Sequence, residues 1–349
     1  MSNRTVVLPL IGDAESDDTA SIWARQIPHL SARELQAGGF DVGYVPLFTK
    51  DQAAIHYRDV ATSSADELRA LMNENNADRL IMGTLHLGVE VRIDIGVWDP
   101  QGDSIVERRR LVGNRAMLLA LLPVAHRHFA RLCGVSLTGQ PRYLAGARSE
   151  KALFALAVDL DNEDLVQANG GQLDWADPWA ARFAPLIEAL RRDPEFPEAR
   201  QRLVERCHRS EGENRPLGLR ALQQANDLVG RRQHLLLEIS KFHETNKDLD
   251  AAAAIAREAV ERQPGDPEAR LQYGRYLLLS GHSDKARPLL AAASRLRPED
   301  WRCAFWMARL HEDTGQRDQA SPWWKRTLSL NPPDGPERRR AEQAIQRSR

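Results

Sequence analysis

Three basic residues recur at a constant interval in the last third of the chain. Lys241, Arg275 and Arg309 are 34 residues apart. Four residues before each of them stands an apolar side chain, and these are Leu237, Leu271 and Phe305. A row of cations beside apolar sockets suits an extended peptide that carries acidic residues. The pattern therefore predicts a groove that docks a segment of a protein partner.

The same cations have acidic neighbours in the sequence, which leaves a second interpretation open. The carboxylates close enough to pair with them are Glu238, Glu244, Glu268 and Glu312. Ordinary ion pairs within and between helices would then account for the charges without any ligand. Only the positions of the side chains in space can decide between these interpretations.

Two acidic clusters contain the residue types that bind hard cations. They are Asp13, Glu15, Asp17 and Asp18 in the first cluster, and Asp159, Asp161, Glu163 and Asp164 in the second. Neither has the glycine and the ligand spacing of a calcium loop. We expect the first to be a solvated loop that caps the following helix and the second to be a polar turn between helices.

No pattern of nucleophiles, bases or soft metal ligands indicates catalysis. His126 and His128 are two residues apart on a predicted helix and so point to different faces. Cys133 is expected to fill the apolar face of that helix. The chain contains no Gly-x-Ser-x-Gly element and no His-Glu-x-x-His element. The sequence predicts a non-enzymatic protein without a metal or cofactor, and an enzyme with an unrecognised site is a weaker alternative.

The 34-residue interval also governs the residues that end and turn helices. It relates Pro264, Pro298 and Pro332 to one another. The other positions that follow it are Asp250, Asp284 and Asp318, Ala252, Ala286 and Ala320, and Gly281 and Gly315. This period resembles that of the tetratricopeptide repeat, in which each unit is a pair of antiparallel helices that buries its apolar face against its neighbours. Ala286 and Ala320 are expected where two helices cross closely.

The repeats are predicted to span residues 149–335. Three clear units are Gln233–Pro264, Pro267–Pro298 and Trp301–Pro332, and two degenerate units are expected near 149–196 and 197–232. Residues 336–349 are predicted to form a helical cap or tail after the last unit. The resemblance implies an α-solenoid and a role in binding other proteins.

The first 137 residues follow a different pattern. Strand signals with alternating or continuous apolar residues occur at Thr5–Leu10, Asp41–Phe48 and, as three consecutive segments, 79–87, 89–99 and 104–112. Helix signals lie at 19–37, 66–76 and 115–133. The order β-α-β-α-β-β-β-α predicts an α/β domain with a mixed sheet, in which the last three strands form an antiparallel meander. A linker over 138–148 would join it to the repeats.

Several motifs in this domain resemble the amino-terminal domain of the TolB family. They are the segment VVLPLIGDAESDD with Leu8-Pro9, the strand DVGYVPLF, and the block that begins at Ala77 and contains Gly83, Leu85, Asp99, Gly102 and Asp103. The resemblance implies the fold over residues 1–137 and carries no catalytic role. Because the chain has no β-propeller, cyclase or DNA-binding module beside it, the functions of larger relatives are not implied.

Composition restricts the class of partner. Charged residues make up 28% of the chain, yet the formal net charge is −1, so no global attraction to nucleic acid or to an anionic membrane is expected. The longest apolar run is too short for a membrane span. Three widely spaced cysteines fit neither a disulfide framework nor a zinc site. We expect a cytoplasmic protein that is not inserted in a membrane.

The sequence as a whole predicts an adaptor or scaffold that docks a protein partner in the groove of its repeats. The alternative is a regulatory protein whose α/β domain senses a small ligand and whose repeats pass on the signal. The partner and the oligomeric state are not determined by the sequence.

Overall fold

The computed structural model describes residues 4–12, 18–50, 55–137, 141, 144, 147–168, 179, 182–210, 212, 215–230 and 233–347. The chain forms two compact units, Met1–Glu205 and Arg206–Arg349. Of the first acidic cluster only Asp18 is described, and most of the predicted linker 138–148 lies outside the described residues.

The first unit is built on a mixed β-sheet. Its strands are β1 (Thr5–Val7), β2 (Ile11–Gly12), β3 (Val42–Tyr44), β6 (Arg79–Leu87), β7 (Glu90–Asp99) and β8 (Ser104–Asn114). The spatial order is β3-β1-β6-β7-β8, and β2 also pairs with β6. β1 is parallel to β3 and β6, whereas β6, β7 and β8 form the antiparallel meander that the sequence predicts. A separate hairpin consists of β4 (Phe48–Lys50) and β5 (Ile55–Tyr57).

Helices pack on both faces of this sheet. The apolar residues of β7 that face α3 (Leu118–Leu132) are Val91, Ile93, Ile95 and Val97. Next to α3, α1 (Asp18–Ala37) packs on β1, β2, β3 and β6. On the opposite face α2 (Ala65–Glu74) supplies Leu68 to a core with Leu80, Met82 and Trp98. Ser64 begins α2 through a capping box with Glu67.

The sequence segments differ from the observed elements in two places. The predicted strand Asp41–Phe48 is divided into β3 and the start of β4, and the hairpin β4–β5 was not predicted. Pro28 and Pro123 lie inside α1 and α3, which continue through them.

The rest of the chain is helical. After α4 (Glu150–Ala168), α5 (Ala184–Arg192), α6 (Pro197–His208) and α7 (Arg215–Leu228), three helix pairs follow. The pairs are α8 (Gln233–Thr245) with α9 (Leu249–Arg262), α10 (Pro267–Leu279) with α11 (Ser283–Leu296), and α12 (Trp301–Asp313) with α13 (Arg317–Ser329). The last helix, α14 (Pro336–Arg347), packs on α13. The predicted fold class, a mixed-sheet α/β region followed by stacked helix pairs, is confirmed.

Small residues sit where the paired helices cross. Ala252, Ala286 and Ala320 are at most 3% exposed, in agreement with the register. Each pair turns at a residue in the left-handed region, which in the last two pairs is Gly281 or Gly315. The 34-residue interval thus reproduces one packing geometry in each unit.

The limits of the α/β domain stay a prediction. The proposed boundary lies at residue 137, but α4 and α5 belong to the same compact unit as the sheet. The second acidic cluster explains this difference. It was predicted to be a turn, and that prediction is wrong, because Asp159, Asp161 and Asp164 are buried inside α4 and contact distant basic and polar groups.

Candidate functional site

The first helix in each of the last two repeats is capped by an aspartate. Asp266 caps α10 by accepting hydrogen bonds from the backbone N–H groups of Glu268 and Ala269, and Pro267 occupies the first helical position. Asp300 caps α12 in the same manner through the N–H of Arg302. These starts fix the rotation of each helix and therefore the face on which its basic residue lies.

The three predicted cations lie at equivalent positions of α8, α10 and α12. Lys241 is the most exposed, at 40% of its side chain, and its Nζ donates to Glu238 Oε1 over 2.8 Å. His208 Nε2 lies 2.9 Å from the other carboxylate oxygen of Glu238. Lys241 is therefore an exposed amine with one local ion pair.

Arg275 and Arg309 share one aromatic neighbour. The guanidinium carbon of Arg275 lies 5.4 Å from the ring centroid of Trp306, and that of Arg309 lies 5.8 Å from it. A cation near the face of a tryptophan is stabilised by the ring's quadrupole. We name Lys241, Arg275, Arg309 and Trp306 the cation face.

Acidic side chains of the chain contact both arginines. Arg275 Nη2 donates to Glu244, and its Nη1 donates to Gln272 Oε1 over 2.9 Å. Arg309 Nη2 lies 3.5 Å from Asp313. The Nε atoms of both arginines are buried and have no hydrogen-bond partner among the described residues. Burial lowers the pKa of Arg275 from its usual value.

The apolar sockets predicted beside the cations are not present on the surface. Leu237, Leu271 and Phe305 are 7%, 1% and 4% exposed. Leu237 packs with Ala259 and Ala269, and the other two side chains lie in the cores around α11 and α13. These positions face the interior because they lie on the side of each first helix that meets neighbouring helices. The prediction that they contact a ligand is wrong.

A polar network that the sequence did not indicate extends the cation face. Glu268 accepts hydrogen bonds from both Nη atoms of Arg302, over 3.0 and 2.8 Å, from Arg297 over 2.9 Å and from Gln272 over 3.1 Å. Burial acts to raise the pKa of Glu268, but these donors outweigh it and leave the pKa lowered. Since Gln272 also bonds Arg275, the network connects α10 and α12. The sequence contained one hint of this network: Glu268 and Arg302 occupy the same position in consecutive repeats, 34 residues apart.

The first unit contains a buried polar cluster between α1 and α4. Arg25 donates to both oxygens of Asp161, over 2.8 and 2.7 Å, and Gln26 Nε2 lies 3.1 Å from the same carboxylate. Tyr57 donates to the backbone oxygen of Asp161 over 3.0 Å. Burial acts against the charge of Arg25, but Asp161 outweighs it and its pKa is raised. Asp159 pairs with Arg202 over 3.0 Å. The acidic residues of α4 are thus structural partners and not a cation site.

The environments of the histidines in α3 and of Cys133 at its end indicate a structural role. His126 is 2% exposed, and burial together with the charge of Arg127 lowers its pKa to about 4. Burial raises the pKa of Cys133 to about 12. Across the described part of the chain no group of three His, Cys, Asp or Glu side chains is placed to hold a metal ion.

The first unit also contains a cavity of about 860 Å³ beside α4 and α5. Its apolar wall consists of Phe154, Ala155, Val158, Ala184 and Pro185. Charged groups at its rim include the ion pair between Arg115 and Glu150, whose atoms lie 3.0 Å apart. The volume is within the range of small-molecule sites.

No helix in the described ranges is long and apolar enough to cross a bilayer.

Comparisons with known proteins identify the repeats. Residues 245–300 match the family model of the tetratricopeptide repeat. The segment covers all of α9, α10 and α11 and the turns between them, so this part of the chain consists of tetratricopeptide repeat sequence. Comparison with curated proteins gave no match. Nothing in these comparisons supports the resemblance of residues 1–137 to the TolB amino-terminal domain, which stays a prediction.

Three solved structures illustrate the similarity to known helical arrangements. A crystal structure of MamA is 16% identical, covers 50% of this chain and 91% of its own, and has a TM-score of 0.37. YrrB, described as a tetratricopeptide repeat protein with an unusual peptide-binding site, is 17% identical over 54% of this chain and 92% of its own, with a TM-score of 0.38. MamA from Desulfovibrio magneticus RS-1 is 17% identical over 43% and 84%, with a TM-score of 0.37. These low scores carry no argument about function.

Proposed function

We propose that the repeats bind an extended, acidic segment of a partner protein along the cation face, and that the protein acts as an adaptor. The observation that carries this proposal is the placement of Arg275 and Arg309 beside Trp306. The two arginines come from consecutive repeats and flank one ring, so a single ligand can contact both. Tetratricopeptide repeats are a module for such contacts.

The charges favour an acidic ligand although each cation already has a partner in the chain. A guanidinium has five N–H donors, and Arg275 uses Nη1 for Gln272 and Nη2 for Glu244. Its lowered pKa means that burial disfavours the charged form. A carboxylate of a ligand would be attracted to the two guanidinium groups beside Trp306 and would add charge-assisted hydrogen bonds. Trp306, which is half-buried, would supply apolar contact between the two arginines.

Because Leu237, Leu271 and Phe305 are buried, specificity in this proposal comes from charge and from Trp306. A charge-assisted hydrogen bond contributes about 1.5–3 kcal/mol when it is desolvated, and an exposed pair contributes much less. Lys241 is exposed and should act mainly in attraction at a distance, whereas Arg275 and Arg309 should determine affinity.

A peptide library tests this proposal. The full chain would select from displayed twelve-residue random peptides, and we expect enrichment of sequences with several Asp or Glu residues. Substituting Lys241→Glu, Arg275→Glu and Arg309→Glu together should abolish capture of the selected peptides. The milder variant Arg275→Gln with Arg309→Gln controls for misfolding, because it removes charge without adding repulsion, and circular dichroism would verify its fold.

The matched control is Arg287→Glu, on the second helix α11, which changes a half-buried charge away from the cation face. It should bind the selected peptides as the wild type does. Equal capture by wild type and by the folded double variant would eliminate the cation face as the binding site. If Arg287→Glu lost as much peptide binding as the variants of the cation face, the binding would be explained by general charge attraction.

The alternative of a ligand-responsive regulator is favoured by a different observation, the cavity beside α4 and α5. Its apolar wall and charged rim suit an amphiphilic small molecule. The fluorescent probe 8-anilinonaphthalene-1-sulfonate should bind the wild type there, and Ala155→Trp, which fills the cavity, should abolish that fluorescence. Unchanged fluorescence in a folded Ala155→Trp variant would exclude the cavity as the site.

A further inference from the structure

The outer edge of the sheet is formed by a long, exposed and strongly basic strand. β8 pairs with β7 on one side, and within the described part of the chain no strand pairs with its other side. Arg108, Arg109 and Arg110 are consecutive and exposed. Val106 and Val112, beside them on the same strand, are 41% and 48% exposed. An edge of this kind offers unpaired backbone groups to another strand.

The hydrogen-bond register shows which backbone groups are free. Arg115 N–H donates to Val89 O next to the ladder, and bonded positions alternate along an antiparallel pair. Gly113, Leu111 and Arg109 therefore bond β7. The backbone N–H and C=O groups of Arg110 and Val112 point to the open edge.

The pairing is regular over Arg109–Asn114, opposite Glu90–Ile95. A bulge interrupts it at Glu107, which has a φ of 48°, and the bulge lies opposite Gly96. The regular part gives a docking segment of six residues. This length is typical of an added strand.

Basic groups lie on both faces of this edge. Arg110 is exposed on the face opposite α3, where it pairs with Asp94. Arg109 is on the face that α3 covers, opposite Ile95, and there Arg127 and Arg131 of α3 join it. His128 lies among these three arginines, and burial together with their charges lowers its pKa. Arg109, Arg127 and Arg131 have no ion pair with a described residue.

The local charge contrasts with that of the whole chain. Arg108, Arg109, Arg110, Arg127 and Arg131 give +5, and Asp94 and Glu107 give −2, so the edge carries a formal +3 in a chain of net −1. Because an acidic strand can present carboxylates on both of its faces, it would meet arginines on both faces of β8.

We propose that the open edge of β8 is a second protein-binding surface, which accepts an extended acidic segment of a partner as an additional strand of the sheet. Backbone hydrogen bonds to Arg110 and Val112 would provide register. The arginines would provide selectivity for carboxylates. A second copy of this chain is a poor occupant, since antiparallel pairing of two β8 strands would place arginines opposite arginines. This surface is independent of the repeats and of the cation face.

The test uses the full chain and a fluorescein-labelled eight-residue Glu–Val peptide, in which pairs of Glu alternate with pairs of Val so that carboxylates lie on both faces of the strand. Fluorescence anisotropy should show saturable binding. A Lys–Val peptide has Lys in place of each Glu. The Lys–Val peptide should not bind, nor should a Glu–Val peptide whose alternate amides are N-methylated and so lack strand donors. Binding of the methylated peptide with equal affinity would overturn strand addition. Tighter binding of a single-stranded oligonucleotide of equal charge would overturn the assignment to a protein segment.

Hydrogen exchange measured by NMR locates the added strand. The amides of Arg110 and Val112 should gain protection when the Glu–Val peptide binds, whereas those of Arg109 and Leu111, already bonded to β7, should change little. Binding without protection of Arg110 and Val112 would contradict the proposal. This measurement needs no variant and so does not depend on the folding of one.

Two variants complete the test. Arg127→Gln with Arg131→Gln should weaken peptide binding by at least about fivefold, the size expected for two partly exposed charge contacts. Arg33→Gln, an exposed arginine on α1, is the control and should bind as the wild type. Val112→Pro removes a donor from the open edge and should abolish binding while keeping the bonds to β7. No binding of the Glu–Val peptide to the wild type would mean that the arginines only keep the edge from pairing.

Discussion

Gly274 tests the packing of the repeats most sharply, because the expected sign is opposite to that of an ordinary glycine substitution in a helix. It is buried inside α10, where it faces α11. A Cβ atom placed on it would lie 2.9 Å from both Cγ and Cδ2 of Leu290 and 3.2 Å from Cβ of Leu289. Such distances require the two helices or the Leu290 side chain to move.

The magnitude follows from two opposing contributions. Alanine is favoured over glycine in a helix by about 1 kcal/mol. Inserting a methyl group into a packed core costs about 1–3 kcal/mol. Gly274→Ala should therefore lower the free energy of unfolding by about 1 kcal/mol. The matched control is Gly265→Ala, in the turn before α10, where no atom lies within 4 Å of the added Cβ. That change should stabilise the protein by about 0.4–1 kcal/mol by restricting the unfolded chain.

Equilibrium urea unfolding followed by circular dichroism would measure both variants. Leu290→Ala, which alone should cost about 2–5 kcal/mol, gives a double-mutant cycle. Once Leu290 is shortened, Gly274→Ala should become stabilising, with a coupling energy of at least about 1 kcal/mol. A Gly274→Ala variant more stable than the wild type would refute the close contact between α10 and α11.

Three further predictions concern the two units. Asp161→Asn leaves the half-buried Arg25 without its carboxylate partner and should lower the free energy of unfolding by about 3 kcal/mol. Asp66→Asn, in a pair whose acidic side chain is 93% exposed, should change it by less than about 1 kcal/mol. Urea unfolding measures both variants, and equal effects would contradict the role of the cluster. A fragment of residues 1–205 should melt cooperatively and at a higher temperature than 1–137, which lacks α4; an equal or higher melting temperature for 1–137 would favour the shorter boundary. The pKa of Glu268 is lowered in the folded state, so its contribution to stability is complete above the unfolded-state pKa of about 4.3. That contribution is lost as the pH falls through the lower pKa of the folded state. Glu268→Gln should therefore lose less stability than the wild type below that pH, and an unchanged slope in acid-unfolding curves would contradict this.

Local patterns were enough to predict the elements of the fold. The alternation of β7 identified a sheet strand, and the helix signal at 66–76 identified α2, which the structure places at Ala65–Glu74. The interval between Ala286 and Ala320 predicted close helix crossings because one packing geometry repeats along the stack. The hairpin β4–β5 was missed because its strands are only three residues long.

The candidate site was predicted less completely. The positions of the cations followed from the interval, but the burial of Leu237, Leu271 and Phe305 did not, since an apolar residue on a helix has the same sequence signature whether it faces a groove or a core. Trp306 could be placed on a helix, yet its contacts with two arginines depend on the rotation of neighbouring helices.

The sequence by itself determined the repeat, its interval and the mixed sheet, because each depends on contacts between residues that are near in the chain or related by a fixed spacing. Tertiary structure decided the roles of the charges. Asp161 is 136 residues from Arg25, and no local pattern relates them. The open edge of β8 is likewise a property of strand order and not of the strand's own residues. Long-range pairing and burial set these electrostatic environments, and they arise only when the chain is folded.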